Sequence, residues 1–415
     1  MSSSLISTTR SGPAQRSAVA PVVAQPPGWR DADAVRDVTE RLAGYLPLVL
    51  PAECDRLRAR LAAVARGEAF LLQGGDCAET FDALTAESVA AKLDTLFTMA
   101  TVLSAGTRLP TVVLGRIAGQ YAKPRSSATE EHGGEVLPAY RGDAVNGLEF
   151  SPAMRTPNPY RMLRVYGASA ATLNTLRALA PAWEPSGPVP EDGQRPRELF
   201  VSHEALLLDY EQPLTRLDPR SGGSYAGSGH LLWAGERTRR PDGAHVAYLA
   251  GIRNPVAVKL GPRATVEETL ELMRRLDPER EPGRLTFVVR MGADRVREVL
   301  PDLVDRVTAA RSVAGWVCDP MHGNTHTAPS GHKTRRVADV AEEIAGFFEV
   351  HRALGTHPGG IHLELTGEEV TECVGGAAGV CLGDLPSRYE SACDPRLNRS
   401  QSLEVAQVVA QLAVG

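Results

Sequence analysis

The sequence predicts a (β/α)8 barrel, the TIM-barrel class, with an N-terminal helical extension. Three observations predict it. Short apolar runs recur along the chain, and nearly every one leads straight into a reactive side chain. The runs alternate with helical stretches, the mark of a parallel sheet. About eight occur, near residues 70, 112, 200, 231, 257, 287, 316 and 362. Eight strands close a barrel, and groups at their C-terminal ends face one site.

Residues 1–28 are rich in Ser, Ala, Pro and Arg and read as a disordered tail. Residues 29–66 read as an extension of two helices. Asp31 and Asp33 lie near the start of the first, and Leu57, Leu61, Val64 and Ala65 form an apolar stripe in the second. Residues 67–415 read as the catalytic barrel. Phe70-Leu71-Leu72 leads into Gly74-Gly75-Asp76-Cys77, and Thr111-Val112-Val113-Leu114-Gly115 into Arg116. His230-Leu231-Leu232-Trp233 leads into Glu236-Arg237, Val256-Ala257-Val258 into Lys259, and Phe287-Val288-Val289 into Arg290. Trp316-Val317-Cys318 leads into Asp319-Pro320-Met321-His322, and Ile361-His362-Leu363 into Glu364. Helical stretches fall at 86–105, 265–275, 293–311, 334–353 and 400–414. Two segments break the rhythm. Residues 124–165, with Gly133-Gly134 and several prolines, read as a long loop over the barrel mouth. Residues 181–197, with five prolines and two glycines, read as a connector without regular structure.

The 415 residues are 43% hydrophobic and 23% charged, within the range of globular proteins. A net charge of -5 argues against general nucleic-acid binding, which needs a basic face. No apolar run approaches the ~18–20 residues of a membrane span. The six cysteines are scattered, with no CxxC pair, so a reducing cytoplasm is the simplest setting. Only four basic residues are lysines: Lys92, Lys123, Lys259 and Lys333. A GC-rich genome accounts for that bias, and it makes each retained lysine worth inspecting.

Cys77, His322, Glu364 and Asp394 each sit in a distinctive context. A thiolate, an imidazole and two carboxylates suit a borderline divalent ion such as Mn, Fe(II), Co or Zn. Each alone has a plainer reading, the Cys as a small core residue above all. Arg116, Lys123, Arg125, Arg237, Lys259 and Arg290 form a cationic set near strand ends, with Ser126 and Ser127 as neutral donors. Arginine grips carboxylate or phosphate with a fork and lysine adds a point charge, so the set implies a substrate with several anionic groups. Glu236, beside Arg237, reads equally as a salt-bridge partner or a catalytic group. Metal plus cations suggests polarising a carbonyl on a phosphorylated substrate, as in aldol-type carbon–carbon bond formation. The rival is a Schiff-base aldolase, with Lys259 as its desolvated amine.

Several longer stretches resemble type II 3-deoxy-D-arabino-heptulosonate 7-phosphate (DAHP) synthases. They are Leu71-Leu72-Gln73-Gly74-Gly75-Asp76-Cys77-Ala78-Glu79, the run from Gly115 to Ser126 (GRIAGQYAKPRS), Ser202-His203-Glu204-Ala205-Leu206 and Trp233-Ala234-Gly235-Glu236-Arg237-Thr238-Arg239. Cys318-Asp319-Pro320-Met321-His322-Gly323-Asn324-Thr325 and Gly355-Thr356-His357-Pro358-Gly359-Gly360 complete the set, in family order from about residue 28 onward. The resemblance implies a barrel enzyme that condenses phosphoenolpyruvate with erythrose 4-phosphate and water, giving DAHP and phosphate at the first step of the shikimate pathway. It implies a divalent metal, commonly Mn or Co, on Cys77, His322, Glu364 and Asp394. It places phosphoenolpyruvate contacts on Arg116, Glu236, Arg237, Lys259 and Arg290, with Trp233 alongside, and erythrose-phosphate contacts on Lys123, Arg125 and Ser126. Within that reading Arg116, Glu236 and Lys259 are the catalytic groups: Glu236 positions the attacking water, and Lys259 holds an anion. A homodimer or larger assembly is also implied, with a chorismate mutase as a candidate partner.

The chain departs from the longer, feedback-regulated members at 181–197, which is too short and broken for the helical pair those members insert before Ser-His-Glu-Ala. The expectation is a short-form enzyme with weak response to Trp, Phe or Tyr, of the kind that serves antibiotic pathways such as phenazine biosynthesis. An amino-DAHP synthase and a non-catalytic barrel regulating a partner enzyme are the other readings. Cys393 adjoins Asp394. If its sulfur approaches Cys77, oxidation to a disulfide would eject the metal, whereas an ordinary buried thiol would not respond.

Overall fold

The computed structural model describes residues 21–414. Eight parallel strands form a closed barrel: β1 (Phe70–Gly75), β2 (Thr111–Arg116), β3 (Phe200–Glu204), β4 (Leu231–Ala234), β5 (Val256–Leu260), β6 (Leu285–Val289), β7 (Gly315–Cys318) and β8 (Gly360–Glu364). Each strand pairs with the next in sequence, and β8 returns to β1. The eight expected strands are all present. Two helices precede them, α1 (Ala32–Gly44) and α2 (Pro51–Ala65). One helix follows each strand: α3 (Ala86–Thr107), α4 (Arg161–Leu179), α5 (Leu208–Leu214), α6 (Ala244–Ala250), α7 (Val266–Leu276), α8 (Val296–Ala309), α9 (Val337–Ala353) and α10 (Arg399–Val414).

Alternation along the strands separates two cores. Leu71, Val112, Leu114, Phe200, Leu231, Trp233, Ala257, Val288 and Val317 cluster together as the barrel interior. The α2 stripe, Leu57, Leu61 and Val64, joins that cluster, so α2 plugs the N-terminal end of the barrel. Residues of opposite parity, such as Leu72, Val113, Val258 and Phe287, pack with the surrounding helices. Helix α1 begins where Asp31 accepts the Asp33 and Ala34 N–H groups at 3.0 and 2.9 Å. Its Val38 and Leu42 pack with Met162, Val165 and Leu214 on the flank.

The expected tail divides in two. Residues 1–20 lie outside the described residues. Residues 21–28 lie against the barrel: Val22 accepts from Ala244 N at 3.0 Å, and Gln25 Oε1 accepts from Arg125 N at 2.9 Å. The segment expected as loop over 124–165 carries more structure than its polarity suggests. It holds an antiparallel hairpin, Thr129–His132 with Glu135–Pro138, and a short helix, Pro152–Arg155. Gly133 and Gly134 turn the hairpin with φ of 59° and 84°, a conformation that favours glycine at both positions. Its last residues already belong to α4. Apart from a short 3-10 turn, Ala180–Ala182, the 181–197 connector has no helix or strand. Trp183 anchors it on Phe97, ring centroids 5.3 Å apart, and donates to Asp94 at 3.1 Å. No described helix is long and apolar enough to cross a membrane.

Candidate active site

Strand register assembles the centre of the site. Gly75, the last residue of β1, lies level with Arg116 on β2 and Glu364 on β8. Its φ of 145° and the closeness of the Arg116 carbonyl, 2.5 Å from where a Cβ would stand, reserve the position for glycine. Arg116 and Glu364, both fully buried, then meet at 3.0 Å. Arg116 also donates to the Asp76 carbonyl and to His362 Nε2 at 2.6 Å. His362 is held neutral, well below the usual imidazole range, by burial and by the Lys259 and Arg116 charges.

Glu364 is the hub. Its Oε1 also meets Lys123 at 3.2 Å and His322 Nε2 at 3.0 Å, and its Oε2 accepts from Arg335 at 2.8 Å. Burial opposes its ionisation, but His322, Lys123, Arg335 and Arg116 hold it well below the usual carboxylate range. Lys123 reaches on to Asp394 at 2.9 Å, and Lys333 meets the other Asp394 oxygen at 2.9 Å. Ligand atoms of His322, Glu364 and Asp394 lie within 4.8 Å of one another. Cys77 is next to this trio: its Sγ accepts the Asp394 N–H at 3.2 Å. Burial opposes ionisation of Cys77, yet a hydrogen bond from Cys393 and the Lys123 ammonium bring it below the ordinary thiol range. Cys393 Sγ itself accepts from Arg125 at 3.8 Å, and both cysteines are free.

The donor set fits a divalent metal. Asp319 takes His322 Nδ1 at 2.8 Å, and burial lowers the His322 pKa, so the neutral tautomer carries its proton on Nδ1. Nε2 then points a lone pair at a carboxylate oxygen 3.0 Å away. With the proton on Nδ1, these two facing atoms form a pair of donor atoms that a divalent cation would satisfy. An imidazole fixed through its other nitrogen by a carboxylate is the usual support for a metal ligand.

Above this centre one cavity gathers all nine expected substrate residues, Arg116, Lys123, Arg125, Ser126, Trp233, Glu236, Arg237, Lys259 and Arg290, together with the expected metal ligands His322 and Asp394. Cys77 and Glu364 lie beneath its wall. Lys259 pairs with Asp319 at 2.7 Å, and burial lowers it to about 8 despite that partner. Trp233 carries the Arg116 guanidinium 5.5 Å and the Lys259 ammonium 5.9 Å from its ring centroid. Three donors have no protein partner among the described residues. Arg290 Nε and Trp233 Nε1 are buried with no partner, and Arg237 forms no ion pair among the described residues. Arg125 is tied to Glu130 of the hairpin, and Ser126 is exposed at the rim.

Glu236 does form a salt bridge, but its partner is Arg239 at 3.1 and 3.2 Å, not its neighbour Arg237. Adjacent side chains diverge in a turn, whereas residues three apart meet. Sequence reasoning gave no role to Asp319, Arg335 or Lys333. The scarcity of lysine was the available signal for the last. Each of the four lysines ends on a carboxylate at the mouth: Lys92 on Asp76, Lys123 on Glu364 and Asp394, Lys259 on Asp319 and Lys333 on Asp394.

A closed parallel barrel with buried carboxylates, an oriented histidine and unsatisfied cations at its C-terminal mouth is a barrel enzyme for anionic substrates. The Class-II DAHP synthetase family model matches residues 14–184 and 189–410, and the chain belongs to that family. It is 54% identical over 426 residues to the phospho-2-dehydro-3-deoxyheptonate aldolase of Streptomyces coelicolor, covering 94% of this chain and 95% of that one. The Mycolicibacterium smegmatis protein of the same description is 46% identical over 438 residues, covering 95% and 94%. A solved truncated DAHP synthase from Thermotoga maritima matches 82% of this chain and 85% of that one at 15% identity, with a TM-score of 0.38. The activity is DAHP synthesis, the entry to the shikimate pathway, with phosphoenolpyruvate and erythrose 4-phosphate as the implied substrates.

Proposed function

We propose that this chain is a metal-dependent DAHP synthase in which Cys77, His322, Glu364 and Asp394 hold a divalent ion, with Mn or Co favoured. The facing acceptors of His322 and Glu364 carry the reading. When bound, the metal supplies Lewis acidity for the aldehyde of the sugar phosphate. The chain's own residues do the rest. Arg116, Arg237, Lys259 and Arg290 hold the carboxylate and phosphate of phosphoenolpyruvate. Lys123, Arg125 and Ser126 hold the phosphate end of the erythrose. Trp233 forms an apolar wall, which strengthens the electrostatics of the cations beside it. Glu236, paired with Arg239 and the Gly261 N–H at 2.8 Å, fixes the loop that presents Arg237.

The Pro-rich connector supports weak feedback and a role in specialised metabolism, and the free cysteines support a cytoplasmic setting. One experiment tests these points: phosphoenolpyruvate consumption with erythrose 4-phosphate, before and after chelation, with Mn or Co restored and Trp, Phe and Tyr added. Turnover lost to chelator, regained with metal and indifferent to the amino acids is the expected result. Full turnover after exhaustive chelation defeats the metal reading, and strong inhibition by any of the three defeats the short-form reading.

A further inference from the structure

The loops that follow β6 and β7 meet as one unit. Asp319 N donates to the Val289 carbonyl at 2.7 Å, and the Arg290 guanidinium donates to the His322 carbonyl. Ala293 N donates to Asn324 Oδ1 at 3.0 Å. The two backbones touch at glycines: a Cβ on Gly323 would stand 2.3 Å from Gly292 N. The first loop carries Arg290, a proposed phosphoenolpyruvate contact. The second carries His322, a proposed metal ligand.

One carboxylate engages both loops. Glu343 lies on α9 and is fully buried. Its Oε1 accepts the Met291 and Gly292 N–H groups at 2.7 and 2.8 Å, and its Oε2 accepts from Asn324 Nδ2 at 2.8 Å. Only a group with an acceptor on each side fits this arrangement. Glutamine would turn its NH2 toward either the two backbone N–H groups or the Asn324 amide. Asn324 is not free to flip in answer, because its Oδ1 takes Ala293 N and its Nδ2 also serves the Pro320 carbonyl at 2.8 Å. A buried donor left facing a donor is costly, so the loops would part to relieve it.

We propose that Glu343 is a positioning residue that locks the Arg290 loop to the His322 loop, and so fixes where phosphoenolpyruvate lies relative to the metal site. The inference rests on the metal-dependent condensation described above. Glu343 is not among the residues that line the cavity, so it acts through the two loops. The reaction joins C3 of phosphoenolpyruvate to the aldehyde carbon of the sugar phosphate, and that bond needs a set separation between the substrates. Arg290 serves one substrate, and His322 belongs to the site that serves the other. A misplacement of about 1 Å between them costs about 10²-fold in rate.

The test compares wild type, E343Q, N324A and the double variant. Mn(II) is titrated into each apo-protein, phosphoenolpyruvate affinity is measured by calorimetry at saturating Mn(II), and KM for erythrose 4-phosphate is taken from turnover. For E343Q the expected result is Mn(II) affinity and phosphoenolpyruvate affinity each about tenfold lower, with KM for erythrose 4-phosphate changed less than about threefold. N324A, which cuts one end of the link, shifts the same two affinities in the same direction. The double variant matches E343Q within about threefold, because both changes break one link. Either affinity of E343Q within about threefold of wild type overturns the proposal, as do single effects that multiply in the double variant. An equal loss in KM for erythrose 4-phosphate overturns it too, since general disorder of the mouth would do that. If E343Q does not fold, N324A with both affinities at wild-type values overturns it equally. Wild-type turnover that survives chelation would instead defeat the metal reading, and phosphoenolpyruvate affinity then decides the lock by itself.

Discussion

Asp319 Oδ2 holds His322 Nδ1 at 2.8 Å and Lys259 Nζ at 2.7 Å on a single oxygen. One fully buried carboxylate thereby sets both the tautomer of a proposed metal ligand and the position of a substrate-facing ammonium. Asp319→Asn keeps the shape but removes the charge that orients both groups. Metal affinity should fall about 10–100-fold, as read by metal titration of the apo-protein. KM for phosphoenolpyruvate should rise in parallel, because Lys259 loses its anchor. A variant with wild-type metal affinity would show that His322 is fixed by other means.

How much of this was legible follows from which forces act locally. The strands were legible because apolar runs such as Val256-Ala257-Val258 are buried on both faces and end abruptly in chemistry at Lys259. Cys77, His322, Glu364 and Asp394 stood out as candidate ligand types in distinctive contexts, and the fold brings the ligand atoms of the last three together. Helices α5 and α6, seven residues each, are too short for a helical period to show. The hairpin at 129–138 was hidden because Thr129, Glu130, Glu131 and His132 do not alternate apolar with polar. Arg335 was hidden by the abundance of arginine, and its meeting with Glu364 joins residues 29 apart through the fold. That Glu236 pairs with Arg239 and not with Arg237 depends on side-chain geometry, which no spacing reveals.

Arg335 is fully buried and donates to Glu364, Thr325 Oγ1 and the Pro395 carbonyl. Its removal takes the Arg335 donor from Glu364 Oε2 and from the Pro395 carbonyl in a buried setting, while Glu364 Oε1 keeps Arg116 and Lys123. Arg335→Met should cost about 3–5 kcal/mol of stability, measured by urea unfolding, since a methionine fills the space but donates nothing. A loss under about 1 kcal/mol would show that Lys123 and Arg116 suffice for Glu364.

His351 gives the protein an acid-sensitive point far from the site. It is fully buried on α9 against Phe347, ring centroids 4.4 Å apart, with Nδ1 bonded to Thr356 Oγ1 at 2.8 Å and Nε2 without a partner. Burial, helped by His357, lowers its pKa from 6.5 to about 3. The unfolded chain therefore binds the proton more readily between those values. Stability contributed by neutral His351 is present above about pH 6.5 and is lost as pH falls toward 3, by at most about 1.4 kcal/mol per pH unit. His351→Phe should flatten the wild-type decline in urea midpoint over that window and leave the curves parallel above pH 7. Parallel curves throughout would mean that acid sensitivity lies elsewhere.

Lys333 is the counterpart to Arg335 at the rim. Its side chain is 48% exposed and meets Asp394 at 2.9 Å. An exposed pair of this kind contributes little to stability, so Lys333→Ala should shift the unfolding free energy by no more than about 0.5 kcal/mol. Its place on the cavity wall predicts a different effect on function. Without the ammonium, the rim attracts an anionic substrate less strongly, and the loss belongs to binding, not to chemistry. KM for erythrose 4-phosphate should rise several-fold with kcat retained, and the difference from wild type should shrink as salt screens the cavity. A fall in kcat at unchanged KM would instead place Lys333 in the chemical step, through its hold on Asp394.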